Sequence, residues 1–210
     1  MIWTKLKNWH HKRQWMKQFN IHQNILEIED MFKNMSGFDI SRDARTHCPS
    51  LEHTYGEIEL ESFLALLSMA KPKAHQHFYD LGSGLGKTVW AAAKTYPFKS
   101  CTGIEKIHEL YLAARQNQLL YKKTHLNIEF LNQDIIETSW PQHSILFLNV
   151  ASFVPESWRL IADKLINEPA DCILTVAKCI PHDDFRIRST HVMTSWGIVR
   201  AYVHDHIYKN

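Results

Sequence analysis

The sequence predicts an α/β protein with a doubly wound, mostly parallel seven-stranded sheet, an antiparallel C-terminal edge hairpin and a helical N-terminal extension. Between residues 77 and 178, short apolar runs alternate with helical segments, which is typical of parallel strands joined by crossover helices. The two strand-like runs that follow have no helix between them and meet near Trp196-Gly197, which predicts the hairpin. Basic and aromatic residues dominate residues 1–20 and predict the helical extension.

Local patterns place the elements in order. Residues 1–35 are predicted to be helical, and residues 36–54, which are rich in turn-forming side chains, are predicted to be a loop. In residues 57–70 the apolar side chains repeat at the spacing of one helix face, acids occupy the first turns, and Pro72 ends the predicted helix. Strands are predicted at 77–81, 101–106, 127–134, 144–150 and 172–178, and the helices between them at 86–96, 107–121 and 155–166.

Length and composition fit one sheet domain, residues 53–210, preceded by the extension, residues 1–52. The 210 residues are 45% hydrophobic and 22% charged, which are the values of a globular protein. No apolar run approaches the length of a membrane-spanning helix, and the N-terminus lacks the continuous apolar stretch of a secretory signal. The four cysteines form no C-x-x-C pair, so we expect reduced thiols and a cytoplasmic location.

Charge is distributed unevenly along the chain. Residues 1–20 carry five lysine or arginine side chains and no acid. Such a segment is compatible with a solvated helix, and equally with docking on an acidic protein, a nucleic acid or a membrane surface. The 14 histidines are scattered, and their close pairs lack a third ligand at the spacing of a metal site, so no metal site is predicted.

The segment FYDLGSGLGKTVW, residues 78–90, breaks a strand with three glycines and then starts a helix. Loops of this kind bind phosphates, dinucleotides or S-adenosylmethionine. A phosphate-binding P-loop would need a glycine where Leu81 stands, and a dinucleotide fold would need one where Lys87 stands. S-adenosylmethionine carries positive charge, so Asp80 at the strand end favours it over a phosphate. The helix N-terminus offers free N–H groups to its carboxylate.

Two further acids end the next two predicted strands. Glu105 stands where a carboxylate can accept hydrogen bonds from both ribose hydroxyls, and Asp134 stands at the height of an adenine amino group. Because the carboxyl ends of parallel strands meet at one edge of a sheet, Asp80, Glu105 and Asp134 describe one adenosine-shaped site beside the switch point of the sheet. The sequence therefore predicts S-adenosylmethionine as the cofactor and a methyltransferase-type site.

Four segments give the chain a family resemblance. They are Thr54-Tyr55-Gly56-Glu57, the loop from Asp80 to Gly86, Gly103-Ile104-Glu105-Lys106, and the strand end from Phe147 to Phe153. In their order and spacing, over roughly residues 53–186, the chain resembles the class I, seven-stranded S-adenosylmethionine-dependent methyltransferases, whose fold is Rossmann-like. More narrowly, it resembles the disruptor-of-telomeric-silencing type of histone lysine methyltransferases.

The resemblance implies the site residues and the reaction. Those implied to bind the cofactor are Tyr55, Glu57, Asp80, Gly82, Ser83, Gly84, Gly86, Glu105, Lys106, Asp134 and Ile135. Those implied to lie where the methyl group meets its acceptor, as the catalytic residues, are Asn149, Tyr55 and Phe153. The implied reaction is methyl transfer to a lysine side-chain amine of a protein substrate.

Two positions depart from the family pattern. Val150 stands in place of a second asparagine, which removes a side-chain hydrogen bond expected near the reaction centre, and Ile135 stands in place of a phenylalanine by the adenine. The large nucleosome-reading extensions of eukaryotic members have no counterpart in these 210 residues, so a histone substrate is not implied.

A lysine acceptor must lose its proton before it can attack, starting from a free pKa of about 10.4. An apolar channel lowers that pKa by desolvation, and Tyr55 and Phe153 are the candidates for its walls. Asn149 is positioned to orient the amine through its side-chain oxygen. Two alternatives stay open: a small-molecule methyltransferase with residues 1–50 as a lid, and a non-catalytic cofactor-binding module.

Overall fold

A computed structural model describes residues 12–47, 49–121, 125–168 and 170–207. The strands are β1 (His77–Leu81), β2 (Ser100–Ile104), β3 (Ile128–Leu131), β4 (Ser144–Asn149), β5 (Cys172–Val176), β6 (Phe185–Thr194) and β7 (Gly197–His206). The helices are α1 (12–18), α2 (Ile21–Phe32), α3 (Gly37–His47), α4 (Leu60–Ser68), α5 (Lys87–Thr95), α6 (His108–Leu120) and α7 (Pro155–Asn167).

Within the described residues the strands form a single sheet in the order β3-β2-β1-β4-β5-β7-β6. Strands β1 to β5 are parallel, whereas β7 runs antiparallel to β5 and β6 antiparallel to β7. The predicted fold class, with its edge hairpin, is confirmed. The chain winds outwards from β1 to β3 and then in the opposite direction from β4 to β5. The crevice outside the carboxyl ends of β1 and β4 is therefore the switch point at which such sheets bind ligands.

Helices bury both faces of the sheet, which explains why the central strands are apolar throughout. One face packs Phe63 of α4 and Trp90 of α5 against the strand residues Phe78 and Phe147. Phe63 is completely buried, and burial of one such side chain contributes about 2–3 kcal/mol. The other face is covered by α7, through apolar side chains such as Ile161.

The N-terminal extension packs on the sheet domain through α2. Asn24 Nδ2 donates to the Thr95 side chain at 3.2 Å, and Lys94 forms an ion pair with Glu27 at 2.6 Å. The predicted helix is interrupted where Asn20 takes a left-handed conformation (φ 50°) between α1 and α2. Much of the basic segment falls on residues 1–11, which lie outside the described residues. Among those that are described, no helix has the length and apolar character needed to cross a lipid bilayer.

The prediction of a loop over 36–54 is wrong, because this stretch contains α3 and a short 3₁₀ turn at Leu51–His53. The side chain of Ser36 accepts a hydrogen bond from the N–H of Asp39 at 3.2 Å. Serine followed three residues later by an acid is a helix-start signal, and here it outweighs the turn-forming composition. Asp39 also pairs with Arg42 at 2.6 Å within the same helix.

The predicted start of the helix at Glu57 is also wrong, since α4 begins at Leu60. The preceding residues pair with the end of β6 instead. Ile58 forms a bridge with Thr194, and the N–H of Glu59 donates to the carbonyl of Met193 at 2.9 Å. This tertiary pairing holds Glu57 outside the helix and places it at the carboxyl edge of the sheet.

Replacement of Gly86 by alanine should destabilise the protein more than replacement of Gly82. Both residues have a positive φ (85° and 91°), so an added methyl group strains either backbone. At Gly86 the added carbon would lie 2.3 Å from the Phe130 ring, whereas no atom of the described residues lies within 4 Å of one added at Gly82. We expect Gly86→Ala to lose about 1–3 kcal/mol more free energy of unfolding, measured by denaturant titration. Equal losses of free energy of unfolding in the two variants would show that the close approach of Phe130 does not require glycine at position 86.

Candidate active site

A cleft of about 690 Å³ opens at the carboxyl ends of β1, β2 and β4. It lies at the switch point of the sheet, and its volume is that of a small-molecule site. The sequence-predicted residues that line it are Tyr55, Glu57, Asp80, Gly82, Ser83, Gly84, Glu105, Lys106, Asp134, Ile135, Asn149 and Phe153. Gly86 is not among the lining residues, because it precedes α5 and packs against Phe130.

Glu105, directly after β2, fastens the glycine loop. Its Oε2 accepts the N–H of Gly84 at 2.8 Å, and its Oε1 accepts the N–H of Ile107 at 2.7 Å. Burial raises the pKa of the Glu105 carboxyl, and these N–H groups act in the opposite direction. Each oxygen keeps a second acceptor position, so the side chain can hold the loop and still accept from a ligand hydroxyl.

Asp80, near the end of β1, is buried beneath the same loop and is 2% exposed. Its Oδ2 accepts a hydrogen bond from the hydroxyl of Thr88 on α5. Burial raises the pKa of Asp80 to about 7, the Thr88 hydrogen bond acts against this shift, and the neighbouring Glu105 adds to it. A cation bound in the cleft would favour the ionised form.

Asp134 follows β3 and caps the 3₁₀ turn Ile135–Glu137. Its Oδ1 accepts the N–H of Ile136 at 3.0 Å, and its Oδ2 pairs with Lys106 Nζ at 2.6 Å. Burial would raise the pKa of Asp134, but the hydrogen bonds from Lys106 and Ile136 hold it below the usual value. Ile135 is 8% exposed and adds an apolar contact at the place that the sequence assigns to the adenine.

Tyr55, Glu57 and Lys87 form a connected polar group at the rim. The Tyr55 hydroxyl donates to Glu57 Oε1 at 2.7 Å, and Lys87 Nζ lies 2.7 Å from Oε1 and 2.9 Å from Oε2. Burial raises the pKa of Tyr55 well above its ordinary value, and the negative charge of Glu57 adds to the shift. Tyr55 is therefore a neutral phenol that donates a hydrogen bond, and is not a base.

The Tyr55 ring is clamped between α3 and the glycine loop. A methyl group on Gly37 or Gly84 would lie 2.3 Å or 2.5 Å from ring carbons of Tyr55, so only glycine permits this approach. Phe38 packs edge-on against the same ring, with centroids 5.2 Å apart. The helix that sequence analysis missed thus builds one wall of the cleft.

The turn between β6 and β7 closes another side of the cleft. The N–H of Glu57 donates to Ser195 Oγ at 3.1 Å, and the N–H of Ser195 donates to the Glu57 carbonyl at 2.8 Å. Trp196 lies so close to Gly56 that an added methyl group there would be 2.4 Å from the indole. The hairpin therefore fixes the segment that carries Tyr55 and Glu57.

Two buried polar atoms of lining residues, Ser83 Oγ and Asn149 Oδ1, have no hydrogen-bond partner among the described residues. Asn149 Nδ2 makes one contact with the Gly56 carbonyl, at 3.4 Å. Buried polar atoms are normally paired, so both atoms fit a site that binds a polar ligand. Val150 behaves differently: its side chain is fully buried in the apolar cluster under α7 and does not line the cleft.

Sequence analysis missed several lining residues, namely Phe38, Glu52, Lys87, Thr88, Ser195 and Trp196. The sequence contains Lys87-Thr88, but the pair matches the end of a phosphate-binding loop. For this reason sequence analysis did not identify the two residues as partners of Glu57 and Asp80. Trp196 and Phe38 stand far from the glycine loop in sequence, and only the hairpin and α3 bring them to the cleft.

The raised pKa of Asp80 should make the ligand-free protein less stable as pH rises. In the folded state the pKa of Asp80 is about 7, which exceeds the ordinary value of 3.8. Between these two pH values the folded state binds a proton that the unfolded state does not bind. The free energy of unfolding therefore falls as pH rises through this range. From pH 5 to pH 8 the wild type should lose roughly 2–3 kcal/mol more free energy of unfolding than Asp80→Asn, measured by denaturant titration. Parallel pH profiles for the two proteins would contradict a raised pKa at Asp80.

Comparisons with known proteins agree with this geometry. The family model for "Histone methylation protein DOT1" matches residues 41–206. A Drosophila melanogaster protein named "Histone-lysine N-methyltransferase, H3 lysine-79 specific" is 38% identical over 58 residues, which are 28% of this chain and 3% of that protein. The chain thus matches only a small part of the length of that relative.

Solved structures of methyltransferases share the fold. An RNA methyltransferase from Salinibacter ruber, in complex with S-adenosyl-L-homocysteine, has a TM-score of 0.56 at 21% identity, covering 70% of this chain and 92% of its own. The magnesium protoporphyrin IX methyltransferase of Synechocystis PCC 6803, with bound SAM, has a TM-score of 0.55 at 13% identity. The match covers 88% of this chain and 97% of that one. The chain belongs to the DOT1 family, whose members are S-adenosylmethionine-dependent methyltransferases with this seven-stranded fold.

Proposed function

We propose that this protein transfers the methyl group of S-adenosylmethionine to the side-chain amine of a lysine in a protein substrate. The observation that carries the proposal is Asn149, a residue at the end of β4 that lines the cleft and whose buried Oδ1 has no partner among the described residues. An amine acceptor needs a hydrogen-bond acceptor that orients its lone pair. Membership of the DOT1 family supports the same acceptor class.

The charge of the cleft favours a cationic acceptor. Its acidic lining residues are Glu52, Glu57, Asp80, Glu105 and Asp134, and its lysines are Lys87 and Lys106. Each lysine is already paired with an acid, at 2.7 Å and 2.6 Å. A bound cation favours the ionised forms of the buried acids Asp80 and Glu105, and the excess of carboxylates then attracts a lysine side chain and a sulfonium and repels the phosphates of a nucleic acid. This supports a protein acceptor over RNA.

Aromatic side chains form part of the lining of the cleft. Tyr55, Phe153 and Trp196 line the cleft together with Phe38. Desolvation by such walls lowers the pKa of an entering amine and so increases the fraction that carries a free lone pair. Tyr55 remains a phenol, so we assign it to the wall and to the orientation of Glu57, and not to removal of the proton.

The reaction itself requires positioning. When bound, the cofactor supplies a methyl group on a sulfonium, which is a good leaving group. Asp80, Glu105 and Asp134 would hold the cofactor as methyl donor, with its sulfur as the leaving group that would keep the bond electrons, while Asn149 would present the lysine nitrogen that takes the methyl group. The resulting ammonium releases its proton to solvent. Asn149 and the aromatic walls hold the nitrogen in line, which is where the rate gain of such a transfer originates.

The two alternatives are less well supported. Within residues 12–47, α3 supplies Phe38 as a fixed wall of the cleft and α2 packs on α5, so the described part of this region is packed against the sheet domain. In a non-catalytic module, Asn149 Oδ1 would need the cofactor itself as its partner. The sequence at the end of β4, Asn149-Val150-Ala151-Ser152, also lacks the N/D-P-P-Y pattern of base and amide methylation.

Asn149→Ala should slow the chemical step without weakening cofactor binding. The variant removes the acceptor that orients the amine but leaves Asp80, Glu105 and Asp134 intact, so we expect kcat to fall about 10–100-fold at an unchanged Kd for S-adenosylmethionine. Single-turnover kinetics and calorimetry measure the two quantities. Asn167→Ala, on the exposed side of α7, removes an amide of the same kind and should match the wild type. A fall in cofactor affinity as large as the fall in kcat would assign Asn149 to the cofactor instead.

The acceptor class is tested with radiolabelled S-adenosylmethionine and a proteome extract, beside Asp80→Ala as the control. We expect label in a discrete protein band that resists ribonuclease, yields methyllysine on hydrolysis and is absent with the variant. Label in RNA or in small molecules would overturn the proposal in favour of those acceptors. Absence of label with cofactor binding intact by calorimetry would favour a non-catalytic module.

A further inference from the structure

We propose that the opposite end of the sheet binds a divalent transition-metal ion, with Zn²⁺ as the best-suited ion, through His75, His143 and Asp171. One potential ligand atom from each residue lies within 4.8 Å of the other two. His143 and Asp171 directly precede β4 and β5, and His75 stands two residues before β1, so all three lie at the amino ends of these strands. The site is therefore separate from the cleft, which lies at the carboxyl ends.

Strand register brings the three residues together. His77 of β1 pairs with Ser144 of β4, and the N–H of His77 donates to the carbonyl of His143 at 3.0 Å. The N–H of Asp171 donates to the carbonyl of Ser144 at 2.9 Å. Ser144 is thus level with both His77 and Asp171, so His143 lies one residue and His75 two residues ahead of that level, at the same end of three strands spaced about 4.8 Å apart. The ligands are far apart in sequence for this reason, and sequence spacing did not reveal them.

One pair of ligand atoms has the separation expected around a tetrahedral ion. His143 Nδ1 lies 3.4 Å from Asp171 Oδ2. Ligands at about 2.0–2.1 Å from a tetrahedral Zn²⁺ are separated from one another by about 3.3–3.4 Å. The rings of His75 and His143 are neighbours, with centroids 5.3 Å apart and planes inclined at 84°.

A second group of contacts orients the carboxylate. Gln76 is 5% exposed, and its Nε2 donates to Asp171 Oδ2 at 2.7 Å. The Gln76 amide is itself fixed, because its Oε1 accepts the N–H of Lys73 at 2.8 Å. Outer hydrogen bonds of this kind hold ligating carboxylates in metal sites. These hydrogen bonds do not involve the side chains of the two histidines. The histidine ring nitrogens stay at the surface, where an ion and its water ligand can reach them.

The backbone of His143 supports the same conclusion. Its φ is 61°, in the left-handed region that residues other than glycine seldom adopt, with asparagine, aspartate and histidine the types found there more often. Conformations of this kind persist where the surroundings require them, and here the conformation places an imidazole beside Asp171. Two imidazoles and one carboxylate select borderline ions such as Zn²⁺, Co²⁺ and Ni²⁺ over Mg²⁺ and Ca²⁺, which prefer oxygen ligands. The bound ion would join the starts of three adjacent strands and so would stabilise the sheet.

Calorimetry on the full chain, freed of metal with a chelator, tests the site. We expect one equivalent of Zn²⁺ to bind the wild type and to raise its melting temperature, and Mg²⁺ to do neither. His143→Asn keeps a residue that tolerates the left-handed backbone but removes the imidazole, and His75→Ala alters an exposed side chain. Each should weaken Zn²⁺ binding by at least about tenfold. His191→Ala, on the exposed face of β6, removes a histidine elsewhere and should bind as the wild type does.

Three results would overturn the proposal. One is absence of Zn²⁺ binding by the wild type. Another is wild-type affinity in either His143→Asn or His75→Ala, which would place the ion among other histidines. The third is a loss of Zn²⁺ binding in His191→Ala as large as the loss in the two ligand variants. Far-ultraviolet circular dichroism of the metal-free variants separates a lost ligand from a lost fold, since the two ligand variants should keep the spectrum of the metal-free wild type.

Discussion

The hydrogen bonds of Glu105 are the constraint on which the rest of the site depends. A carboxylate at the end of β2 accepts the N–H of Gly84 from the loop after β1, and the N–H of Ile107 ahead of α6. The Glu105 carbonyl also accepts from Asn132, which follows β3. One residue thus ties together the segments that leave three neighbouring strands. Because the Glu105 side chain is buried, breaking these hydrogen bonds would leave its charge without a partner in the interior. This cost keeps the glycine loop in place.

Charge pairing explains why a loop that resembles a phosphate site serves a different ligand. Lys87 and Thr88 occupy the positions that would meet phosphate and magnesium in a P-loop, yet Lys87 pairs with Glu57 and Thr88 donates to Asp80. Both contacts turn potential phosphate ligands into supports for carboxylates. The acids they support keep the cleft negative, which suits a cofactor and an acceptor that both carry positive charge.

The two ends of the sheet have different roles because strands of one direction expose different groups at each end. The carboxyl ends lead into the loops that carry Asp80, Glu105 and Asn149, and the cleft forms there. The amino ends bring His75, His143 and Asp171 into proximity. The crossover helices cover the faces between, so neither end contacts the other. The proposed active site and the proposed metal site therefore lie at opposite ends of the same sheet.

The sequence by itself determined the sheet, its hairpin and most of the cleft, because apolar runs, glycines and acids at strand ends are local patterns. Asp80, Glu105 and Asp134 could be assigned from strand position alone, since parallel strands bring their ends to one edge. Tertiary structure decided the rest. Pairing with β6 kept Glu57 out of the helix, a capped α3 replaced the expected loop, and the hairpin turn carried Trp196 over the cleft. These contacts join residues distant in sequence, and no local pattern encodes which distant partner a residue will meet.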